Sequence, residues 1–156
     1  MRRGNKLGRR FEVVNRYRDA GINLPRRKTK WSAGYDLESA TSVTIKAGEL
    51  AVLPTGLKAY MEQDEVLMVF IRSSLAVKQG LVLANGTGII DADYVDNPDN
   101  EGHIQLAVRN LSSAPVTIDK GQAIAQGIFV NYLLTEDDEV GEERLGGFGS
   151  TDQNKK

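Results

Sequence analysis

The sequence contains no cysteine and only one histidine, His103, and these absences exclude several kinds of site. Without cysteine the chain has no disulfide, no thiolate nucleophile, no iron–sulfur cluster and no zinc site built on cysteine. One histidine excludes any zinc site that needs two, and a Ser-His-Asp triad would have to use His103. A metal ion would therefore be held mainly by oxygen atoms, which favours Mg²⁺, Ca²⁺ or Mn²⁺.

Long hydrophobic runs are also missing. The longest run, Val66 to Ile71, has six residues, whereas a membrane helix needs about 20. Charged residues, among them Lys6, Arg9 and Arg10, stand where the apolar part of a signal peptide would be. We therefore expect a cytoplasmic protein with no membrane partner.

The formal net charge of -1 hides two oppositely charged parts of the 156-residue chain. Residues 1–30 hold 11 Lys and Arg against 2 Asp and Glu, a net of +9, and residues 31–156 hold 9 against 19, a net of -10. Such asymmetry is typical of a nucleic-acid-binding arm or of a solvated tail. The basic residues lack a nucleic-acid-binding motif, so we favour a solvated arm or a surface segment over a nucleic-acid partner.

Short apolar runs separated by turn residues predict an all-β sandwich or barrel. Two pairs of runs predict hairpins, one around Gly48 and one around Asn85-Gly86, where both residues tolerate the positive φ of a type I′ turn. The continuous run Val66 to Ile71 predicts a strand buried on both faces, and the alternation over residues 104–109 predicts a half-buried strand. The predicted strands cover residues 11–17, 43–45, 50–53, 66–71, 81–84, 87–91, 104–109, 116–118 and 124–130.

One short helix is predicted, over residues 74–79, with Ser73 as its N-cap and Gly80 at the C′ position. The chain length predicts one domain. Within it we distinguish a basic segment with the first strand (residues 1–23), the β core (24–134) and a flexible C-terminal arm (135–156). That arm is acidic at first and then rich in glycine.

Asp91 and Asp93 form the first candidate site. Residues two apart on a strand face the same side, so the two carboxylates would converge. Such a pair could hold Mg²⁺ or position a water molecule as a general base. The alternative is two solvent-facing carboxylates at the end of a strand.

Three further features have both a functional and a structural interpretation. Arg72-Ser73-Ser74 stands at the start of the predicted helix. Its free N–H groups, hydroxyls and guanidinium could bind phosphate. The structural alternative is that Ser73 only caps the helix. The segment 146–151 could wrap an anion with its backbone N–H groups, or be flexible, with Phe148 as a ring anchor. His103 is expected to be structural or solvated, and Trp31 to pack against the protein.

The order of these features resembles the trimeric dUTP pyrophosphatase (dUTPase) family, and in particular its bacterial and phage-type members, over roughly residues 24–151. Five motifs of that family follow one another along the chain. The segments of this chain that resemble the five motifs are, in order, Ala33-Gly34-Tyr35-Asp36-Leu37, Arg72-Ser73-Ser74-Leu75-Ala76, Gly88-Ile89-Ile90-Asp91-Ala92-Asp93-Tyr94, Gly121-Gln122-Ala123-Ile124-Ala125-Gln126, and Arg144 followed by Gly146 to Thr151.

The resemblance implies Mg²⁺-dependent hydrolysis of dUTP to dUMP and pyrophosphate. It also implies a homotrimer of jelly-roll-like β-barrel subunits with active sites shared between subunits. Asp91 would activate the attacking water as the catalytic residue, and Asp36 would hold the hydrated Mg²⁺ through water. The implied substrate-binding residues are Arg72, Ser73, Ser74, Asn85, Gly88, Ile90, Tyr94, Gln126, Arg144, Phe148, Gly149, Ser150 and Thr151.

In that resemblance, Asn85 and its turn would read uracil, Tyr94 would lie under the deoxyribose and exclude a 2′-hydroxyl, and Phe148 would cover the base. The chain departs from the family pattern at Ser74, at Ala123, in the spacing of the fifth motif, and in the loop 95–102 that follows Tyr94. That acidic loop is a candidate site for a protein partner. Two alternatives remain open: a nucleotide-responsive regulatory or protein-binding module, and a dCTP deaminase on the same fold.

Overall fold

The computed structural model of the chain describes residues 8–139, 141, 144 and 146–147. The described residues form β-strands, one α-helix and one 3-10 helix, which confirms the predicted all-β class with a single short α-helix. The elements are β1 (Arg10–Val13), a 3-10 helix (Asn15–Tyr17), β2 (Tyr35–Glu38), β3 (Val43–Ile45), β4 (Leu50–Pro54), β5 (Leu57–Tyr60), β6 (Glu65–Ile71), α1 (Ser73–Gln79), β7 (Leu81–Leu83), β8 (Gly88–Asp91), β9 (Gln105–Asn110), β10 (Val116–Ile118) and β11 (Ala123–Asn131).

The strands form two larger sheets and two short two-stranded ones. The four-stranded sheet has the order β2-β11-β6-β8 and the three-stranded sheet the order β4-β9-β7, while β1 pairs with β5 and β3 with β10. Every recorded ladder is antiparallel. Within the described residues no ladder joins two strands that are consecutive in sequence. The chain therefore crosses to another sheet at each short turn, as in a jelly roll.

The two predicted hairpins are wrong, although the predicted turns exist. β3 pairs with β10 while β4 pairs with β9, and β7 pairs with β9 while β8 pairs with β6. Gly86 has a φ of 75°, but Asn85 is not among the described residues with positive φ, so the turn is not type I′. Turn residues reverse the chain, but the choice of ladder partner depends on strands that are distant in sequence.

The core lies between the larger sheets, and β6 shows how it is built. Leu67 and Val69 are fully buried, whereas Val66, Met68 and Phe70 on the opposite face are only half-buried. The prediction of burial on both faces is therefore wrong for the single chain. A continuous apolar strand with one half-exposed face leaves apolar area for another surface to cover.

The alternation predicted for residues 104–109 is confirmed. Leu106 and Val108 of β9 are buried, and Asn110, at the end of the same face, is also buried. Its amide donates to the carbonyls of Ile45 and Ala114. The buried amide thereby ties the turns at this end of the molecule to β9, because a buried polar group must find hydrogen-bond partners.

Most predicted boundaries lie within one residue of those in the structure, and β1 and α1 show the two differences that matter for the fold. β1 ends at Val13, because the Val14 N–H donates to the carbonyl of Gly56 and the chain then enters the 3-10 helix. Helix α1 begins at Ser73 with Arg72 as N-cap, and no side chain caps it, so the capping role predicted for Ser73 is wrong. Gly80 ends the helix in the left-handed region, as predicted. No helix of the described residues is long and apolar enough to cross a membrane.

Candidate functional site

A cavity of about 310 Å³ opens between the two larger sheets. Val69 and Ile90 of the four-stranded sheet and Leu83 and Leu106 of the three-stranded sheet form its apolar walls. It therefore exists because the chain changes sheets between β7 and β8. Five of the predicted site residues of the core line it, and Arg144 reaches it from the C-terminal arm: Asn85, Gly88, Ile90, Asp91, Tyr94 and Arg144.

Gly88 brings backbone, rather than side chain, to the wall of the cavity. A Cβ at this position would lie 3.1 Å from the Val69 Cβ, which is tighter than ordinary contact. Gly88 also pairs with Val69 in the β6–β8 ladder, so neither residue has room to move away. Glycine here permits close approach of the two strands, and the cavity keeps its volume.

Asp91 and Asp93 converge, as predicted, and the group between them is a guanidinium. Arg144 Nη2 lies 2.5 Å from Asp91 Oδ2, and Arg144 Nε lies 2.7 Å from Asp93 Oδ1. Both carboxylates are more than half exposed, while the Arg144 side chain is largely buried. The Arg144 guanidinium carbon also lies 5.7 Å from the centre of the Tyr94 ring. The C-terminal arm thus contributes a cation directly beside the predicted catalytic carboxylate.

Tyr94 is held rigidly at the cavity wall. Its ring is buried, and its hydroxyl donates to the His103 carbonyl at 2.9 Å and accepts from Asn100 Nδ2 at 2.8 Å. Burial raises the pKa of the Tyr94 phenol, so the hydroxyl keeps its proton and its donor role. A tyrosine fixed at both hydrogen-bonding positions presents a defined ring face to a ligand.

His103 is structural, which confirms one of its two predicted roles. The side chain is buried, and its Nε2 accepts the Gly56 N–H at 2.9 Å. Burial lowers the pKa of His103, because the charged imidazolium is poorly solvated there. Trp31, by contrast, does not pack: it is 87% exposed, so that prediction is wrong. It sits on a turn closed by hydrogen bonds between Thr29 and Ser32, which directs it outward.

A second group of predicted site residues lies around Asp36. Asp36 Oδ1 is 3.8 Å from Arg72 Nε, and its Oδ2 is 3.6 Å from Lys28 Nζ. Gln126 pairs with Asp36 across β2 and β11. Gly34 approaches the same glutamine so closely that an added Cβ would lie 2.9 Å from the Gln126 Cβ. The side chains of Ser73 and Ser74 are exposed at the first turn of α1.

The two groups are far apart within one chain. Asp91 pairs with Val66 at the start of β6, whereas Arg72 follows the end of the same strand. Six residues of β-strand span about 20 Å. None of the residues of the Asp36 group lines the cavity. A single described chain therefore does not bring all of its predicted site residues together.

Sequence reasoning missed three residues that lie beside these groups. Lys28 contacts Asp36, and Asp99 and Asn100 contact Gly147 or Tyr94. The basic run at residues 26–30 was a usable indication for Lys28, whereas Asp99 and Asn100 lie in the 95–102 loop, whose sequence indicated a protein partner and not a part of this site. The predicted contacts of Phe148, Gly149, Ser150 and Thr151 lie outside the described residues.

The carboxylates near the two groups do not form a metal cage. Among the residues that the structure describes, no three His, Cys, Asp or Glu side chains cluster closely enough to hold a metal ion. Mg²⁺ is commonly bound by one or two carboxylates together with substrate phosphates, and it keeps several of its waters. The single carboxylate Asp36, beside Arg72 and Lys28, fits such a substrate-borne ion better than a resident one.

Comparisons with known proteins identify a family for the chain. The family model described as dUTPase matches residues 20–151. A relative from Lactococcus lactis subsp. lactis (strain IL1403), named deoxyuridine 5'-triphosphate nucleotidohydrolase, is 52% identical over 145 residues, covering 92% of this chain and 97% of its own length. The relative of the same name from Desulfitobacterium hafniense (strain DSM 10664 / DCB-2) is 40% identical over 143 residues, covering 86% and 90%.

Solved structures share the fold. The crystal structure of dUTPase from Streptococcus mutans superimposes with a TM-score of 0.77 at 45% identity, covering 81% of this chain and 98% of that one. The dUTPase from phage phi11 of S. aureus has a TM-score of 0.72 at 22% identity, covering 92% and 99%. At that identity the phage enzyme bears on the fold alone.

Proposed function

The chain belongs to the dUTPase family, and we propose that it carries out the reaction of that family, hydrolysis of dUTP to dUMP and pyrophosphate, with Asp91 as the general base. The observation that carries the proposal is the position of Asp91. Its carboxylate lies at the edge of a nucleoside-sized cavity, beside Tyr94 and the Arg144 guanidinium. The deaminase alternative has no comparable support in the relatives.

The cavity would bind the nucleoside. Its volume of about 310 Å³ is at the small end of the ~300–1,000 Å³ that small-molecule sites span. The N–H groups of Gly86 and Thr87 bond to carbonyls of the same turn, so other backbone groups of the turn from Asn85 to Gly88 would pair with the uracil edge. A site built to hydrogen-bond one base rejects another strongly, because mismatched buried polar groups stay unpaired. Ile90 and Tyr94 would form the apolar contact with deoxyribose and leave no partner for a 2′-hydroxyl.

The chemical step requires a water molecule between Asp91 and the α-phosphorus. The water oxygen attacks phosphorus, its proton passes to an Asp91 carboxylate oxygen, and the bond from the α-phosphorus to the bridging oxygen of the pyrophosphate breaks. Arg144 holds the Oδ2 atom of Asp91, so the proton would pass to Oδ1, and the guanidinium beside Asp91 would also face the phosphate oxygens. Arginine at such a position stabilises the charge that develops during transfer.

The triphosphate would be held by the Asp36 group of another subunit. Arg72, Ser73, Ser74 and Gln126 would contact phosphate oxygens, and Asp36 would hold the hydrated Mg²⁺ through water. When bound, Mg²⁺ neutralises phosphate charge and so allows a nucleophile to approach. The separation of about 20 Å between the two groups and the half-exposed apolar face of β6 both support a homotrimer with shared sites.

The C-terminal arm would complete the site. Arg144 already reaches the cavity, and Phe148, Gly149, Ser150 and Thr151 would follow it over the nucleotide, with Phe148 on the uracil ring. A segment that closes over bound substrate excludes water from the reacting centre. The domain boundaries at residues 23 and 134, the protein partner at the 95–102 loop and the cytoplasmic location stay predictions.

The test is a substrate panel of dUTP, dTTP, dCTP and UTP with the wild type and two matched variants. Asp91→Asn should lower kcat for dUTP by ~10²–10⁴-fold, while Asp93→Asn, which removes a carboxylate from the same Arg144, should retain most of the activity. Release of pyrophosphate from dUTP alone would support the base and sugar selection. Equal rates for wild type and Asp91→Asn would refute the assigned base, and ammonia release from dCTP would indicate a deaminase.

A further inference from the structure

The loop after Tyr94, residues 95–102, is fastened firmly to the β core at both ends. Lys58 Nζ on β5 donates to Asp96 Oδ1 at 2.6 Å and to Glu101 Oε1 at 2.9 Å. Tyr60, two residues further along β5, donates its hydroxyl to Asp96 Oδ2 at 2.6 Å. The Lys58 side chain is only 9% exposed, so these charge-assisted bonds are partly shielded from water.

The tip of the loop also has a fixed shape. Asn97 Oδ1 accepts the N–H groups of Asp99 and Asn100, at 3.0 and 3.1 Å, and its Nδ2 donates to the Tyr94 carbonyl at 2.7 Å. Asn100 Oδ1 accepts from Asn97 Nδ2 and from the Gly102 N–H. These bonds orient Asp99 and Asn100 without help from any ligand.

The side chains of Asp99 and Asn100 meet the C-terminal arm at Gly147, which is buried. The Gly147 N–H donates to Asp99 Oδ2 at 3.3 Å. A Cβ at Gly147 would lie 2.7 Å from Asn100 Nδ2 and 2.8 Å from Asp99 Oδ2, closer than real Cβ atoms approach. The φ of Gly147 is not in the left-handed region, so glycine serves here for space and not for backbone conformation.

The same loop tip reaches the cavity. Asn100 Nδ2 donates to the Tyr94 hydroxyl, and Tyr94 lines the cavity next to Asp91. The Asn100 amide therefore lies against Gly147 of the arm and also hydrogen-bonds the tyrosine whose ring faces the ligand. No other part of the described arm makes a hydrogen bond to this loop.

We propose that Asp99 and Asn100 form a docking seat for the C-terminal arm at Gly147, and that Asn100 is a positioning residue that links the seated arm to Tyr94. The proposal rests on the proposed function, because the seated arm matters where a nucleotide occupies the cavity. It gives the 95–102 loop a role inside the enzyme's own site. Docking of the arm would hold Arg144, three residues earlier, beside Asp91.

A disulfide cross-link tests the seat directly, because the chain has no cysteine of its own. The added Cβ at Gly147 would lie 2.8 Å from Asn100 Cγ, which is where a cysteine sulfur would stand. Because the S–S bond is about 2.04 Å long, the Cβ of one cysteine stands about 3 Å from the sulfur of the other, so the double variant Asn100→Cys/Gly147→Cys should cross-link under mild oxidation. Asn100→Cys/Gly141→Cys is the control, since nothing lies within 4 Å of a Cβ at Gly141.

Non-reducing electrophoresis and a count of free thiols give the result. A cross-link within one chain or between two subunits supports the seat, and the size of the product tells which subunit supplies the arm. Failure of Asn100→Cys/Gly147→Cys to cross-link faster than the Gly141 control would overturn the proposal. This measurement does not depend on dUTP hydrolysis, so it separates failure of the seat from failure of the proposed function.

Kinetics of dUTP hydrolysis provide the second test. Gly147→Ala should raise KM roughly tenfold relative to Gly141→Ala, which adds the same methyl group to the same arm. Asp99→Ala should raise KM in the same direction, and Asp99→Asn, which keeps an oxygen acceptor for the Gly147 N–H, should restore it. Equal KM values for Gly147→Ala and Gly141→Ala in an enzyme that hydrolyses dUTP would overturn the proposal.

Discussion

Two inactive variants should recover activity when they are mixed, if the site is shared between subunits. Asp91→Asn removes the proposed base, and Arg72→Ala removes a phosphate contact from the other group. The two positions are about 20 Å apart along β6 and its partner strand. One chain cannot bring both side chains to the same α-phosphate, so we expect a competent site to take Asp91 from one subunit and Arg72 from its neighbour.

The expected recovery follows from counting subunits. In randomly mixed trimers made from equal amounts of the two variants, each site draws an intact Asp91 with a chance of one half and an intact Arg72 with a chance of one half. About a quarter of the wild-type activity should therefore return. The assay is pyrophosphate release from dUTP after the two variants are unfolded together and refolded, or after co-expression.

The double variant Arg72→Ala/Asp91→Asn is the control. Mixed with either single variant, the double variant should restore no activity. In each such mixture every subunit lacks Asp91, or every subunit lacks Arg72, so no site can contain both side chains. A mixture of the single variants that is no more active than their separate average would refute the reasoning. It would mean that each site lies within one chain, and that the Asp36 group has another role.

Three further predictions concern stability. Burial lowers the pKa of His103 below its usual value of 6.5, so as the pH falls the unfolded chain takes up the proton before the folded chain does. The melting temperature should therefore fall as the pH drops through about 6.5 toward the lowered pKa. His103→Gln should make the melting temperature less dependent on pH over this range. Lys58→Met should cost about 2 kcal/mol in urea unfolding, with the exposed Lys46→Met as control; an equal effect of both would contradict the anchoring role. Leu67→Ala, at a fully buried position, should cost about 2–5 kcal/mol, and a loss below ~1 kcal/mol would show that β6 is not central to the core.

The sequence predicted most strands and turns because their determinants are local. Gly80 and Gly86 adopt positive φ where the turns require it, and the alternation of β9 matches its buried face. Ladder partners were not predictable, because β7 finds β9 and β8 finds β6 through contacts that are distant in sequence. A single-chain periodicity likewise does not tell whether the second face of β6 is covered by the same chain.

The candidate site was likewise predictable from the sequence only in part. The convergence of Asp91 and Asp93 was predicted from the two-residue period of a strand, although β8 ends at Asp91 and Asp93 lies in the turn that follows. Their partner Arg144 lies about 50 residues away in sequence and carries no periodic pattern. The seat formed by Asp99 and Asn100 depends on the folded shape of an irregular loop. Motif order could suggest what the residues do, and only the fold could tell which of them meet.

The position of β11 has a consequence for how the protein is made. This strand, Ala123–Asn131, lies inside the four-stranded sheet between β2 and β6, although among the described strands it is the last to be synthesised. The sheet cannot form completely on the ribosome until β11 has emerged. Until then β2 and β6 each have an unpaired edge on the side where β11 will bind. Folds dominated by distant pairings reach the native state slowly, in milliseconds to seconds. Nascent chains that stall before Ala123 would therefore be prone to aggregate, because they expose strands that have no partner.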